Sequence, residues 1–328
     1  MKVLLVGAGA VGARAGRQLV EAPEIDRVLV AGASPLSRAA VVDGCGPKVR
    51  DGGDDARDAD LDVDAALLVG PAGTHVDTAR FHLERGRAVV SCSDAVVDVQ
   101  GLLALDDLAR RHGQPLVVGA GFSPGYTCLL ARHAAARLDH VDEIHVARSG
   151  TGGPACARQH HRALSGTALD WRDGAWQERR AGSGRELCWF PDPIGAADCY
   201  RAELPDALVL VPCFPEVGRV TARLAASRRD RLTARIPMLR RPHPEGLVGA
   251  VRVEVRGRRA GAHEVIVLGA LDRPAVATGA VAVLALRQAA AGAFPPGASG
   301  LGALADPLPM LTALADIGIR AAIFDGAG

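Results

Sequence analysis

Short apolar runs alternate with amphipathic segments over the first 121 residues of the chain. The runs lie at residues 2–6, 28–30, 65–70, 87–94 and 115–121, and helix-like stretches separate them. Strands that are apolar on both faces and alternate with helices are typical of a parallel sheet covered by helices on both sides. We therefore predict a doubly wound α/β domain over residues 1–124.

The pattern changes after residue 124. Further apolar runs predict strands, and a polar stretch predicts a helix that covers them, with the strands at 142–150, 207–213, 249–257 and 263–271 and the helix at 216–235. The short "GRRAG" turn between the last two runs makes that pair antiparallel. Residues 125–271 are therefore predicted to form an α+β domain on a mainly antiparallel sheet. Residues 272–328 are predicted to form a C-terminal helical segment that packs back on the first domain.

Composition limits the classes of partner. The chain has 38 Lys and Arg residues against 37 Asp and Glu, a net charge of +1 that gives no general attraction for nucleic acid or an anionic membrane. No apolar run approaches the ~18–20 residues of a membrane-spanning helix, and the chain enters a strand directly instead of a signal-like segment. We expect a cytoplasmic protein whose partner is a small molecule, with no nucleic acid and no membrane.

The supply of reactive side chains is also limited. The seven cysteines are scattered and form no C-x-x-C pair, which predicts free thiols and no metal site. The only lysines are Lys2 and Lys48, and neither belongs to a motif. Catalysis through a lysine or a Schiff base is therefore not expected.

The stretch "VGAGAVG" carries the clearest motif. Gly7, Gly9 and Gly12 match G-x-G-x-x-G between the first strand and the first helix. The first glycine permits a tight turn, the second lets the backbone approach a pyrophosphate, and the third lets helix and strand pack closely. The N–H groups at the helix start, including those of Ala10 and Val11, would hold the phosphates. In this βαβ context the motif predicts a Rossmann-type domain that binds a dinucleotide.

The second strand ends without the acidic residue that usually binds the ribose of NAD. The sequence there is "VLVAGASPLSRAA", with Ser34 and Arg38 as the nearest polar side chains. A serine and a forked arginine donor suit a 2′-phosphate, which favours NADP(H), with NAD(H) possible. The alternative is that Ser34 caps the next helix and that Arg38 is a solvated surface residue.

Later strands add candidates at the same sheet edge. Gly70 and Pro71 follow a strand and are predicted to lie beside the nicotinamide half of the cofactor. His75, in the next helix, is an active-site or a packing residue. Asp94, after "VVSC", is a candidate for orienting substrate or relaying a proton, or caps the following helix. Tyr126, after "SPG", is a candidate for placing its phenol at the crevice.

The stretch "RSGTGGPACARQHHRALSG" is the predicted substrate region. Arg148 is a candidate for binding a substrate carboxylate, and His160 or His161 for moving the proton that accompanies hydride transfer. Adjacent helical residues point about 100° apart, so we expect only one histidine to face the site. Arg201, beside Tyr200, is a further substrate-binding candidate. For either histidine, a surface or packing role is the alternative.

Three motifs resemble the saccharopine dehydrogenase-like oxidoreductases. They are "VGAGAVG", "VGPAGTHVDTARFHLERGRAVVSCSD" and "LVVGAGFSPGYTCLLAR", and the late "GAVRVEVRG" and "VLGALDRPAVATGAVAVLALRQAAAGAFPPG" are similar to the family's closing hairpin and returning helix. The chain departs from the family at Ser123 and at "GASGLG", and residues 150–206 carry no resemblance. The resemblance implies a nicotinamide-dependent enzyme that oxidises an amine or reduces an imine of an amino-acid-like substrate.

Two alternatives to that activity stay open. One is a non-catalytic accessory protein that binds a nucleotide, because no unambiguous acid and base pair is evident. The other is a dehydrogenase of hydroxyl substrates, with His160 or His161 as the base. For each reading we expect a homo-oligomer, with a dimer favoured.

Overall fold

The computed structural model of the chain describes residues 1–58, 61–239 and 241–324. Contacts within it divide the chain into two compact units. Unit 1 comprises residues 1–121 and 275–301, and unit 2 comprises residues 122–274 and the chain from 302 onward. These bounds differ from the predicted ones: residues 122–124 belong with unit 2, and the C-terminal segment is shared between the units instead of joining the first domain as a whole.

The first part of the chain alternates strands with helices, as the apolar runs predict. Its elements are β1 (Lys2–Val6), α1 (Ala10–Glu21), β2 (Arg27–Ala31), α2 (Pro35–Cys45), β3 (Val49–Asp51), β4 (Ala65–Leu68), α3 (His75–Leu83), β5 (Ala88–Ser91), α4 (Val96–Leu103), α5 (Asp106–Arg111) and β6 (Pro115–Val118). The side chains of β4 are all buried, which explains why this strand shows no polar alternation.

Unit 2 begins with a helix and continues mostly in strands. Its elements are α6 (Tyr126–Ala135), β7 (His140–Ser149), α7 (Pro154–Ala163), β8 (Thr167–Arg172), β9 (Ala175–Arg180), β10 (Glu186–Trp189), β11 (Ala196–Arg201), α8 (Asp206–Leu210), β12 (Arg219–Ala225), α9 (Arg228–Thr233), β13 (Gly249–Arg259) and β14 (Ala262–Asp272). The predicted antiparallel hairpin is β13 and β14, which turn at Ala260 and Gly261.

The last elements are α10 (Pro274–Ala290), β15 (Gly297–Ser299), α11 (Leu308–Asp316) and β16 (Ala321–Ile323). From Ala275, α10 belongs to unit 1, as does β15. A Cβ atom at Gly279 would lie 3.0 Å from Cβ of Arg14, so α10 packs closely on α1 there. Within the described ranges, no helix is both long and apolar enough to cross a membrane.

In residues 1–58, 61–239 and 241–324, each unit contains one sheet. The strands of unit 1 run in the order β15-β6-β5-β4-β1-β2-β3, and every neighbouring pair is parallel. The main path in unit 2 is β10-β11-β12-β7-β13-β14-β16, in which β12 and β7 are parallel and the other pairs are antiparallel; β8 joins β12 and β9 beside it. The predicted fold class, a doubly wound parallel sheet with a second α+β domain, is confirmed.

Two predicted elements of unit 2 are wrong. Residues 207–213 form the short helix α8, which is buried all round, and a 3-10 turn instead of a strand, and a short apolar run of this kind shows no period that separates helix from strand. Residues 216–235 contain β12 and the short α9 instead of one helix. In β12 the polar residues Arg219, Thr221 and Arg223 alternate with apolar ones, which is the period of a strand.

Candidate functional site

The glycine turn of unit 1 joins β1 to α1. Gly7 has a φ of +114°, and a Cβ atom there would lie 2.8 Å from the backbone nitrogen of Gly70, so this turn has no room for a side chain. A Cβ atom at Gly12 would lie 2.2 Å from the carbonyl oxygen of Gly7, so the helix packs directly on the turn. A Cβ atom at Gly9 would meet no described atom within 4 Å. The backbone at Gly9 therefore faces open space.

The start of α1 offers hydrogen-bond donors to that space. Gly9 is the N-cap, no described side chain caps the helix, and its first turn holds no acidic residue. The first N–H groups of an α-helix have no partner inside the helix and carry the positive end of its dipole. β1 lies between β2 and β4, where the strand order reverses and open α/β sheets bind dinucleotides. These features fit a pyrophosphate, which the N–H groups of Ala10 and Val11 would hold.

The residues after β2 have other partners than a 2′-phosphate. The Ser34 hydroxyl accepts a hydrogen bond from the Ser37 N–H and caps α2, as the alternative interpretation predicts. Arg38 is 4% exposed, so it is not a solvated surface residue. Its Nε donates to Asp51 at 2.7 Å, and its Nη1 contacts the Asp54 carboxylate and the Ala33 carbonyl.

These ion pairs determine the net charge of the region just after β2 and β3. The contact with Asp51, followed by that with Asp54, raises the pKa of Arg38, and the Gly53 N–H together with Arg38 lowers the pKa of Asp51. Two carboxylates and one guanidinium therefore lie at the ends of β2 and β3, a net charge of −1. The predicted role of Arg38 as a 2′-phosphate ligand is not what this arrangement favours, because its guanidinium is already paired.

A buried histidine fixes the next part of the sheet edge. His75 is 2% exposed; its Nε2 lies 3.1 Å from the Gly70 carbonyl, and its Nδ1 lies 2.8 Å from the Ser91 hydroxyl. Since a carbonyl only accepts, Nε2 carries the proton and Nδ1 accepts from Ser91. Burial lowers the pKa of His75, so the ring is neutral and ties the chain after β4 to the end of β5. Pro71 follows Gly70 and is exposed.

A buried carboxylate continues this network. Asp98, 1% exposed, accepts hydrogen bonds from the Ser93 hydroxyl at 2.7 Å and from the Gly73 N–H at 3.0 Å. It therefore fixes both loops that follow β4 and β5. Asp94, the predicted proton relay, lies in the second of these loops and is half-buried. Sequence reasoning missed Asp98, although its place in the first turn of a helix after "CSD" offered a signal.

In unit 2, a cavity of about 310 Å³ lies beside α7 and β12. Both His160 and His161 line it, and the expectation that only one of them faces a substrate stays a prediction. The His161 Nε2 lies 3.1 Å from the Thr233 hydroxyl, and the His160 Nε2 lies 3.4 Å from the Cys156 sulfur. The remaining lining is partly apolar and includes Asp230, Arg241 and His243 among its polar members.

Arg148 lies elsewhere in unit 2 and is 4% exposed. Its Nη1 donates to the Ser123 carbonyl, and the Ser123 hydroxyl donates to the fully buried Asp206 at 2.6 Å. Thr127 also donates to Asp206. Arg148 therefore holds the segment before α6, which is a different role from binding a substrate carboxylate.

Tyr126 begins α6 and is fully buried. Its ring stacks on Phe122 with centroids 6.1 Å apart, and its hydroxyl has no hydrogen-bond partner in the described part of the chain. Burial raises the pKa of Tyr126 well above its ordinary value. The phenol therefore packs in the interior of unit 2, and its predicted catalytic role stays a prediction.

Arg201 is paired as well. Its Nε donates to Asp170 at 3.1 Å, and Arg223, its partner across β11 and β12, donates to the same carboxylate at 3.2 Å. Asp170 is 7% exposed and is thus shared by two arginines. The ion pairs join β8, β11 and β12, and the substrate-binding role of Arg201 stays a prediction.

The fold has known counterparts. The apo saccharopine dehydrogenase (L-Glu forming) of Saccharomyces cerevisiae matches with a TM-score of 0.71 at 14% identity, over 98% of this chain and 99% of that one. The chain has a saccharopine dehydrogenase-like fold. The DAP dehydrogenase of C. glutamicum, in complex with DAP, matches this fold with a TM-score of 0.53 at 16% identity, over 97% of this chain and 99% of that one. Two further structures, each with a TM-score of 0.51, contain NAD and NADP⁺ respectively.

Sequence comparison gives a different name. Myo-inositol dehydrogenase Hyg17 of Streptomyces leeuwenhoekii is 28% identical over 198 residues, which cover 60% of this chain. The match spans 56% of that enzyme, so just over half of its length is represented. No protein-family model matches the chain. The names of the structural neighbours and of this sequence relative thus point to two kinds of substrate.

Proposed function

We propose that the chain is an oxidoreductase that binds NAD(P)(H) on unit 1 and acts on a C–N bond of an amino-acid-like small molecule. The observation that carries the proposal is the open space at Gly9, before an uncapped helix and at the reversal of strand order. A bound nicotinamide would supply or accept the hydride. The chain would hold the cofactor phosphates through backbone N–H groups and keep the edge at Gly70 rigid through the neutral His75.

The substrate is best accommodated by the cavity beside α7. His160 and His161 line it and are the candidates for moving the proton that accompanies hydride transfer. Arg148 and Arg201 are held by other groups, so Arg241, an exposed member of the lining, becomes the candidate partner for a substrate carboxylate. The C–N activity is supported by the sequence motifs and by the activities named for the yeast and C. glutamicum enzymes.

A hydroxyl substrate is the second candidate, favoured by the name of the myo-inositol dehydrogenase relative. The same cavity serves it, with a neutral histidine accepting the hydroxyl proton as hydride leaves the carbon. The two readings differ in chemistry: imine reduction consumes a proton, and alcohol oxidation releases one.

The preference between cofactors also changes. The expected preference for NADP(H) rested on Ser34 and Arg38. In the structure Ser34 caps α2, and Arg38 pairs with Asp51 and Asp54. Two carboxylates at this position disfavour a 2′-phosphate through like-charge repulsion. We therefore favour NAD(H) over NADP(H) as the cofactor.

The proposal is tested by titrating the protein with NADH and with NADPH and following binding through the nicotinamide fluorescence. Gly9→Asp places a carboxylate in the open space and is expected to weaken binding at least ~10-fold through like-charge repulsion with the phosphates. Gly44→Asp is the matched control, because its Cβ atom also meets nothing within 4 Å but lies on α2. Flat titrations with both coenzymes, or equal weakening by both variants, would contradict the proposal.

A substrate panel then separates the two activities. Consumption of NAD(P)H by mixtures of an oxo acid and an amine supports C–N chemistry. Reduction of NAD(P)⁺ by myo-inositol and other polyols, with no activity on those mixtures, supports the hydroxyl reading. Coenzyme binding without turnover of either set would indicate the accessory protein.

A further inference from the structure

A second cavity in unit 2 carries an unusual charge. Its volume is about 440 Å³, and its walls come from the end of α7, the chain after β9, and α9 with the residues that follow it. Among the residues that the structure describes, its lining contains three arginines and no acidic residue: Leu164, Ser165, Arg180, Ala181, Gly182, Ser183, Arg231, Leu232 and Arg235. Several positive charges therefore converge on one concave surface.

These arginines differ from their neighbours in the same unit. Arg185, Arg201 and Arg223 have carboxylate partners in Asp198 and Asp170. Among the described residues, no carboxylate lies within 4.0 Å of the guanidinium of any of the three cavity arginines.

The nearest acidic groups are engaged elsewhere. The Asp230 carboxylate, on α9, forms the capping box with Ser227. Glu203 packs against Gly166, next to Ser165 but outside the lining. The positive charge of the cavity therefore lacks an internal counterion.

Gly182, one of the lining residues, has no room for a side chain. Gly182 has a φ of +71°, and a Cβ atom there would lie 2.8 Å from the Leu164 carbonyl oxygen and 3.2 Å from Cγ of Arg231. Arg231 is itself positioned: its guanidinium lies 5.1 Å from the Tyr200 ring centroid and donates to the Gly182 carbonyl at 3.4 Å. One of the cations is thus held in place before any ligand arrives.

Two hydroxyls complete the lining. Ser165 donates to the Arg162 carbonyl at 2.9 Å, and Ser183 donates to the Arg180 carbonyl at 2.6 Å. A hydroxyl hydrogen rotates to suit its surroundings, so either serine can donate to a ligand oxygen instead. Guanidinium groups bind phosphate and carboxylate oxygens through paired N–H donors.

We propose that this cavity is a binding site for a small, multiply charged oxyanion, with a pyrophosphate group as the best-fitting chemistry. Its volume lies in the range of about 300–1,000 Å³ that is usual for small-molecule sites. Arg180, Arg231 and Arg235 supply the charge, and the serine hydroxyls supply further donors. The site shares Leu164 with the lining of the cavity that holds His160 and His161 but contains neither histidine, and it does not depend on the proposed redox activity.

Isothermal titration calorimetry with sodium pyrophosphate at constant ionic strength tests the site. Saturating NADH is present, because pyrophosphate would otherwise compete for the glycine turn. The double variant R180Q/R235Q is expected to bind pyrophosphate at least ~10-fold more weakly than the unmodified chain. R179Q, the matched control, removes the neighbouring exposed arginine of β9, which is outside the lining, and is expected to change affinity less than ~2-fold.

Three results would overturn the proposal: no pyrophosphate binding, equal binding by R180Q/R235Q, or equal weakening by R179Q, which would indicate general surface attraction. A citrate titration separates phosphate from carboxylate ligands: binding of pyrophosphate alone assigns a phosphate site, and equal binding of citrate assigns a general oxyanion site. NADH titrations of the same variants keep the two proposals apart. Arginine-dependent pyrophosphate binding in a chain that binds no coenzyme would sink the proposed function and leave this site standing.

Discussion

Two groups of buried polar side chains, one in each unit, have different partners. In unit 1, His75 donates to the Gly70 carbonyl and Asp98 accepts from the Gly73 N–H, so both hold backbone. In unit 2, Asp170 joins Arg201 to Arg223 and Glu254 joins Arg252 to Arg256, so these side chains hold one another. Hydrogen bonds from side chains to backbone hold the loops after β4 and β5 in one conformation. Ion pairs between side chains hold neighbouring strands or residues of the sheet together.

The contrast explains which arginines remain for ligands. An arginine in an ion pair on the sheet of unit 2 is already neutralised, so its presence near a predicted site says little about substrate binding. The arginines of the oxyanion cavity lie outside these pairs. The distribution of carboxylates therefore separates structural arginines from candidate ligand-binding ones.

The largest expected effect comes from breaking a pair in unit 2. Asp170→Asn removes the carboxylate that Arg201 and Arg223 share, at a site where the Asp170 side chain is 10% exposed, and leaves Arg223 with only Glu186 at 3.6 Å. We expect the free energy of unfolding to fall by about 3 kcal/mol, because removing one partner of a largely buried ion pair is strongly destabilising. Tryptophan fluorescence in a urea titration measures it, since Trp171, Trp176 and Trp189 all lie in unit 2.

Glu216→Ala is the control for this prediction, because that side chain is 83% exposed. It is expected to change the free energy of unfolding by less than ~0.5 kcal/mol. A similar small change for Asp170→Asn would mean that the ion pairs do not hold the sheet together.

A somewhat smaller effect is expected from acid in unit 1. Burial lowers the pKa of His82 to about 4, and its neutral ring bonds the Ala56 carbonyl through Nε2 while Nδ1 faces Arg87. A histidine whose pKa falls on folding contributes stability above its unfolded pKa of 6.5, and this is lost as pH falls toward 4. Between pH 7.5 and pH 5 the loss from His82 is about 2 kcal/mol.

His82→Gln should remove this part of the pH dependence, measured by urea titrations followed by far-UV circular dichroism. His112→Gln, at an exposed histidine of the same unit, is the control. Its free energy of unfolding should depend on pH with the same slope as that of the unmodified chain. An unchanged slope in His82→Gln would show that the ring is not held neutral by burial. Both predictions are measured as a free energy of unfolding, so the side chain that holds backbone in unit 1 can be compared directly with the ion pairs of unit 2.

The sequence predicted best what is decided locally. The glycine turn follows from residues within one βαβ unit, so Gly7 and Gly12 occupy the tight positions that the motif assigns to them. The continuous apolar strands of unit 1 are buried on both faces and were predicted near their observed bounds.

The roles of single arginines were not predictable in the same way. Arg201 and Asp170 are 31 residues apart in the chain, and Arg223 and Asp170 are 53 apart. No local pattern shows that such residues will pair. The same holds for Arg38, whose partners Asp51 and Asp54 lie 13 and 16 residues later in the chain, at the end of β3 and just after it. β12 is different, since its alternation of arginine with apolar residues was a legible strand signal that the helix interpretation overlooked.

The smallest expected effect tests whether unit 1 also contains an arginine reserved for a ligand. If Arg38 belongs with the ion-paired arginines, its carboxylate partners should set the cofactor preference. Asp54 is 78% exposed and Asp51 is 52% exposed, so both charges are screened by solvent. D51N/D54N should therefore raise the affinity for NADPH relative to NADH only about 3-fold. Fluorescence titrations measure this change as the dissociation constant of NADH divided by that of NADPH, which should rise, and Asp55→Asn, at an exposed neighbour that contacts Arg57, is the control. An unchanged or lower value of this ratio, with Arg38→Ala weakening NADPH more than NADH, would return Arg38 to the ligand-binding class and restore the preference for NADP(H).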